Sequence, residues 1–147
     1  MLSKINYFLI LTFVFNTINT FAGNDLKNTN YSSKQKNLTI EIDNLKSVNA
    51  PVFVTIYTPK NLFLSETDAL KFYKFIPKGK KLIVKINQLN YGEYAIATYQ
   101  DLNSDNECNR NLIGIPKEPY AFSNNYIPRL RAPNFDECKF LYNKNSR

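Results

Sequence analysis

The stretch that most restricts how this chain can fold is Glu93–Gln100, because both of its alternating faces are largely apolar: Tyr94, Ile96 and Thr98 on one, Ala95, Ala97 and Tyr99 on the other. A strand of this kind needs cover on both sides, which predicts an inner strand of a layered β-structure. At Asp101 the pattern stops and a segment dense in Asp, Asn and Glu begins. Recognition chemistry is therefore expected where that strand ends.

The same two-residue period recurs on either side. Leu38, Ile40 and Ile42 alternate with Thr39, Glu41 and Asp43, and Val52, Val54 and Ile56 alternate with Phe53, Thr55 and Tyr57 after Pro51. Phe72–Ile76 reads as a short aromatic strand, Leu82, Val84 and Ile86 alternate with Ile83, Lys85 and Asn87, and a last strand is predicted over Cys138–Tyr142. Between them Thr58–Ala69 lacks a pattern and reads as loop with one helical turn near Ser65–Leu70. Leu89–Gly92 reads as a turn in which Gly92 supplies a positive φ. Pro116, Pro119, Pro128 and Pro133 cannot donate to a ladder, which leaves 112–135 as ordered loop with edge pairing at most. Short strands, frequent turn signals and no long amphipathic helix predict an all-β antiparallel sandwich with Greek-key crossings and a long proline-rich loop. The 14% aromatic content, with ten Tyr and eleven Phe, suits pleated, half-buried surfaces.

At 147 residues the chain has room for one sizeable core. Residues 1–22 carry a single charge, Lys4, then an apolar run from Tyr7 to Phe15 and the small residues Thr20 and Ala22 at the positions a signal peptidase reads. The run is too short for a membrane span, so 1–22 is expected to be a signal peptide cleaved after Ala22. The polar residues 23–36 are expected to be a flexible leader, 37–143 one β-sandwich domain and 144–147 a basic tail. The expected location is outside the cytoplasm, periplasmic or secreted, with no transmembrane span in the mature chain.

Formal charge is +7, but the bases are scattered and form no stripe interleaved with stacking aromatics, which argues against nucleic-acid binding. Histidine is absent, and with it the Ser-His and Cys-His nucleophilic pairs and imidazole-bound zinc. The two cysteines, Cys108 and Cys138, are too few for a structural zinc site. In an exported chain they are expected to form a disulfide tying the proline-rich segment to the last strand.

Two segments carry candidate sites. Asp101, Asn103 and Asp105 recur at spacing two, with Glu107 and Asn109 following, a pattern of hard oxygen donors suited to a weak Ca²⁺ site. A complete calcium hand is excluded, since Leu112 stands where the bidentate glutamate belongs. The same residues could instead fold the loop through Asx-turns with no ion. Glu118, Tyr120, Phe122, Ser123, Asn124 and Asn125 place aromatic faces beside carboxylate and amide oxygens, as a sugar or peptide groove would need. The same residues could instead pin the proline-rich loop to the sandwich, with Asn124 and Asn125 making its turn.

The run from Leu89 to Asn125 resembles the signature of the domain of unknown function 2141 family, small exported bacterial proteins. The resemblance is carried by Leu89, Gly92, Tyr94 and Ala95, by Asp101, Asn103 and Asp105, and by Gly114, Pro116, Glu118, Tyr120, Phe122, Ser123, Asn124 and Asn125, with Pro133, Phe135 and Asp136 fitting its closing segment. It implies a prealbumin-like or immunoglobulin-like sandwich and export, and lends no catalytic residues. The family loop commonly has glycines where this chain has Ser104 and Asn106, and an aliphatic residue where it has Cys108. Together these readings predict a non-enzymatic exported binding or envelope-associated module whose face is formed by loops 101–111 and 112–125, recognising a glycan, peptide or envelope partner. The alternative is a hydrolase acting on a glycan or ester through carboxylates among Asp101, Asp105, Glu107 and Glu118, which an exposed loop would leave with ordinary acidities.

Overall fold

A computed structural model of the chain describes residues 10–13, 36–129 and 131–146. The described strands are β1 (Ile10–Phe13), β2 (Lys36–Asp43), β3 (Val52–Tyr57), β4 (Lys71–Phe75), β5 (Leu82–Leu89), β6 (Gly92–Gln100), β7 (Tyr120–Phe122) and β8 (Phe140–Tyr142). They form two antiparallel sheets, one in the order β1-β2-β5 and one in the order β4-β3-β6-β7, with β8 also paired to β6. The fold is an all-β sandwich. Ile10–Phe13, inside the apolar run read as an export signal, pair along β2 from Ile10 opposite Asp43 to Phe13 opposite Ile40. The leader read over 23–36 lies outside the described residues except for Lys36, which already belongs to β2.

The space between the sheets is filled by the residues the alternation marks: Leu38, Ile40 and Ile42 from β2, Val52, Val54 and Ile56 from β3, Val84 and Ile86 from β5, and Tyr94 and Ile96 from β6. Each such side chain contributes about 1.5–3 kcal/mol by leaving water. Strand β3 is buried at all six positions, because its other face, Phe53, Thr55 and Tyr57, is covered as well. Phe53 stacks on Tyr99 at 4.8 Å and on Phe72 at 5.4 Å.

Three details differ from the sequence reading. The turn before β6 does not use a positive φ at Gly92; Gln88 takes it, at 57°, next to the register shift that separates the Lys36–Leu89 pair from the Leu38–Ile86 pair. One extra residue on β5 is absorbed there as a bulge. Ser65–Leu70 holds a turn at Thr67–Asp68 but no helix. Cys138 belongs not to the last strand but to a short helix, α1 (Phe135–Cys138), capped by Asn134 and Glu137 in a reciprocal capping box, and β8 begins only at Phe140.

Strand β6 is the axis of the larger sheet. It pairs with β3 over Ala95–Gln100, with β7 at Ala97–Tyr99 and with β8 at Gly92–Tyr94. Between the β7 and β8 stretches Ser123, fully buried, takes over: its hydroxyl accepts from the Ile96 N–H at 2.9 Å and donates to the Cys138 carbonyl. Its successor Asn124, at φ 60°, donates its amide to the Lys139 carbonyl at 2.8 Å. The Ser-Asn-Asn run is thus the joint between β7 and α1.

Candidate functional site

The outer face of the larger sheet is closed by loops rather than by strands. Ala95, Phe122 and Cys138 form a second buried cluster there, with Phe63, Leu64, Tyr120, Tyr126 and Phe135 packed around it. Beside that cluster the loops leave a cleft of about 140 Å³. Its floor is Tyr57, Ala97, Tyr99 and Phe122, and its walls include Tyr120, Ile113, Ile115 and Pro128. Such a volume is close to what a single six-membered ring occupies. Arg110, Arg129 and Arg131 line the mouth, together with one carboxylate, Glu66.

The three arginines are not equivalent. Arg131 is spent on Glu137, bonding both carboxylate oxygens at 2.8 and 2.9 Å, and holds the Glu137 carboxyl down at about 2 with help from the Asn134 N–H and the Tyr126 hydroxyl. Arg110 and Arg129 have no carboxylate within ion-pair distance among the described residues. Burial pushes the Tyr57 hydroxyl up to about 12 and the Tyr99 hydroxyl higher still, with the Glu66 charge adding to both. These phenols are neutral at physiological pH and offer the cleft hydrogen-bonding groups but no charge.

Two of the six residues singled out for ligand contact, Tyr120 and Phe122, do line the cleft. Ser123 and Asn124 are engaged in the β7–α1 joint, Asn125 follows them at φ 51°, and Glu118 is buried elsewhere. Arg110 and Arg129 were not singled out by the sequence, since scattered bases meet only in the folded chain. Residues 109–117 form a small hairpin with an Arg110–Pro116 bridge, in which the Asn111 side chain accepts from the N–H groups of Ile113 and Ile115 and Gly114 sits at φ 80°. That hairpin carries Ile113 and Ile115 to the cleft wall.

The acidic loop is folded by its own side chains. Asn103 donates its amide to Asp105 and to Asn109, both at 2.8 Å, and accepts from the Asp105 N–H; Asp105 accepts from the Glu107 N–H at 2.9 Å. These are Asx-turns. The Glu107 N–H is the main reason the Asp105 carboxyl lies below its usual range. Ser104 and Asn106 adopt φ of 62° and 68°. Among the described residues no three acidic, histidine or cysteine side chains gather as a metal cage.

Asp101 stands apart from the loop it opens. Its side chain is fully buried, one oxygen accepting from the Asn106 N–H at 2.8 Å. Beside it lies Glu118, 4% exposed, one oxygen accepting from the Leu102 N–H at 2.9 Å. The expectation of ordinary acidities fails here: burial raises the Glu118 carboxyl to about 7, the Leu102 N–H opposing and the charges of Asp101 and Asp105 reinforcing the rise. Neither carboxylate lines the cleft.

The cysteines require a second correction. Both are free thiols: Cys108 forms part of the cleft wall, whereas Cys138 is sealed at the end of α1 against Ala95 and Phe122. Burial pushes Cys108 up to about 11 and Cys138 up to about 12, so neither is a nucleophile near neutral pH.

A family model described as "Uncharacterized protein conserved in bacteria" matches residues 40–147, from within β2 onward. No curated protein and no solved structure matches the chain.

Proposed function

The chain belongs to the domain of unknown function 2141 family of bacterial proteins, and from this premise we propose that it is an exported, non-enzymatic binding module whose outer-face cleft takes a ligand with an apolar or aromatic body and an anionic group. The observation that carries this reading is the pairing of an apolar floor with two arginines, Arg110 and Arg129, that have no carboxylate partner among the described residues. A guanidinium in such a place binds carboxylate, sulfate or phosphate well, because its planar fork matches their oxygens. A neutral sugar would instead need the amides of Asn124 and Asn125, and Asn124 is already occupied. Export is supported by the apolar run Tyr7–Phe15 and the Thr20/Ala22 pair. Cleavage after Ala22 would remove β1 while leaving every core residue named above, and no helix among the described residues is long and apolar enough to cross a membrane.

The hydrolase reading draws on one observation, the Glu118 carboxyl at about 7, within the range of a general acid. Against it, Glu118 and Asp101 are buried and neither is among the residues that line the cleft.

The test is a fluorescence titration with 8-anilinonaphthalene-1-sulfonate, an aromatic anion, against N-phenyl-1-naphthylamine, its uncharged counterpart. Saturable one-to-one binding of the sulfonate by folded protein, weakened at least about tenfold in Arg110→Ala/Arg129→Ala with the amine unaffected, supports the proposal. Equal sulfonate binding by wild type and variant would overturn it.

A further inference from the structure

Asp101 Oδ1 and Glu118 Oε2 are buried, and neither has a hydrogen-bond partner among the described residues. Each carboxylate uses its other oxygen on a backbone N–H, of Asn106 and Leu102 respectively, so both side chains are fixed from one side with the remaining oxygen left over. The two carboxylates lie within reach of one another. While both are ionised the two carboxylates are acceptors only and cannot satisfy each other; a shared proton or a cation has to lie between them, and no Lys or Arg pairs with either among the described residues. A buried pair of this kind needs a bridging positive group.

We propose that Asp101 and Glu118 form a binding site for a calcium-sized divalent cation. The site keeps Asp101 from the loop pattern but takes as its second anchor Glu118, seventeen positions later, in place of Asn103, Glu107 and Asn109, with the Asp105 charge also felt there. Donor chemistry selects the ion. The anchors are hard carboxylate oxygens with no nitrogen or sulfur donor between them, which disfavours zinc and other thiophilic metals. The surrounding loop, folded by short Asx-turns at Ser104 and Asn106, can supply carbonyls in the irregular geometry calcium tolerates and magnesium does not. The proposal is independent of the cleft, since neither anchor lines it.

The experiment is thermal melting of the whole chain at pH 7.5 in 5 mM CaCl₂ and in EDTA, with MgCl₂ as the ion control and tyrosine-sensitised Tb³⁺ luminescence as a second readout. Calcium is expected to raise the wild-type Tm by roughly 3 to 8 °C. Glu118→Gln should melt higher than wild type in EDTA, because the repulsion is gone, and should lose both the calcium response and the Tb³⁺ signal. Asp101→Asn, which keeps an oxygen for the Asn106 N–H, should lose the response as well, while Asp136→Asn, on the surface, should keep it. Identical wild-type melting in calcium and EDTA would mean that a proton alone bridges the pair, and would overturn the proposal. So would a full calcium shift in Glu118→Gln, which would put the ion elsewhere in the loop.

Discussion

On its inner side β6 presents Tyr94 and Ile96 to side chains of β2 and β5; on its outer side Ala95, Ala97 and Tyr99 meet loops and one short helix. Both sides are covered, but by different means. Strand against strand, side chains repeat every two residues and interdigitate, as the unbroken inner cluster does. Proline- and asparagine-bearing loops have no common period, so they close the outer face incompletely, leave a cleft and bring Arg110, Arg129 and Arg131 to its mouth. On the proposed reading, the difference gives stability to one face of a strand and recognition to the other.

The sharpest way to break this division is substitution on adjacent residues. Ile96→Ala, on the inner face, should cost about 2–5 kcal/mol in urea unfolding, whereas Ala97→Ser, facing the cleft, should cost less than about 1 kcal/mol. Comparable losses at both sites would mean that the outer face is packed as tightly as the core.

A somewhat smaller effect is expected from pH. The folded Glu118 carboxyl at about 7 holds its proton more tightly than the unfolded one, near 4.5. Its contribution is therefore fully present below about 4.5 and lost as pH rises through 7, on the order of 3 kcal/mol in the absence of a bound cation. Glu137 titrates in the opposite sense: held at about 2, it stabilises above the ordinary glutamate range and loses that contribution as pH falls toward 2. Chelator-treated wild type should lose stability between pH 5 and 7, and Glu118→Gln should not; parallel curves would show that the pair is not the source.

The strands were legible because alternation is local: Leu38/Ile40/Ile42 and Val84/Ile86 name their own buried face. Double burial of β3 was less so, since Thr55 and Tyr57 can face water as readily as a second layer. The helix at Phe135–Cys138 had a signal, Asn134 followed three residues later by Glu137, masked by the apolar run beyond it. Asp101 and Glu118 read as members of an exposed acidic loop, because nothing in their neighbours announces that the chain returns to bury one against the other. The left-handed positions were marked by the family resemblance: Ser104 and Asn106 stand where glycine is common, and both have positive φ.

That last agreement gives a smaller test. Ser104→Gly should stabilise by up to about 1 kcal/mol and Asn106→Gly by less, because Asn visits the left-handed region more readily than Ser. Destabilisation by either would mean that the side chain contributes more than its backbone strain. The smallest expected effect is none at all: with Cys108 and Cys138 both free, a reducing agent should leave Tm unchanged, and the unreduced, unfolded chain should titrate two thiols. A reductant-sensitive Tm would restore the disulfide.

The central claim, that one face of β6 binds while the other only supports, is tested most directly by methyl NMR of Ile- and Ala-labelled protein titrated with 8-anilinonaphthalene-1-sulfonate. The methyls of Ala97, Ile113 and Ile115 should shift together and saturate with one ligand, while those of Ile40, Ile56 and Ile96 stay in place. Shifts of equal size on the inner methyls, or no movement at Ala97 and Ile113, would contradict the account.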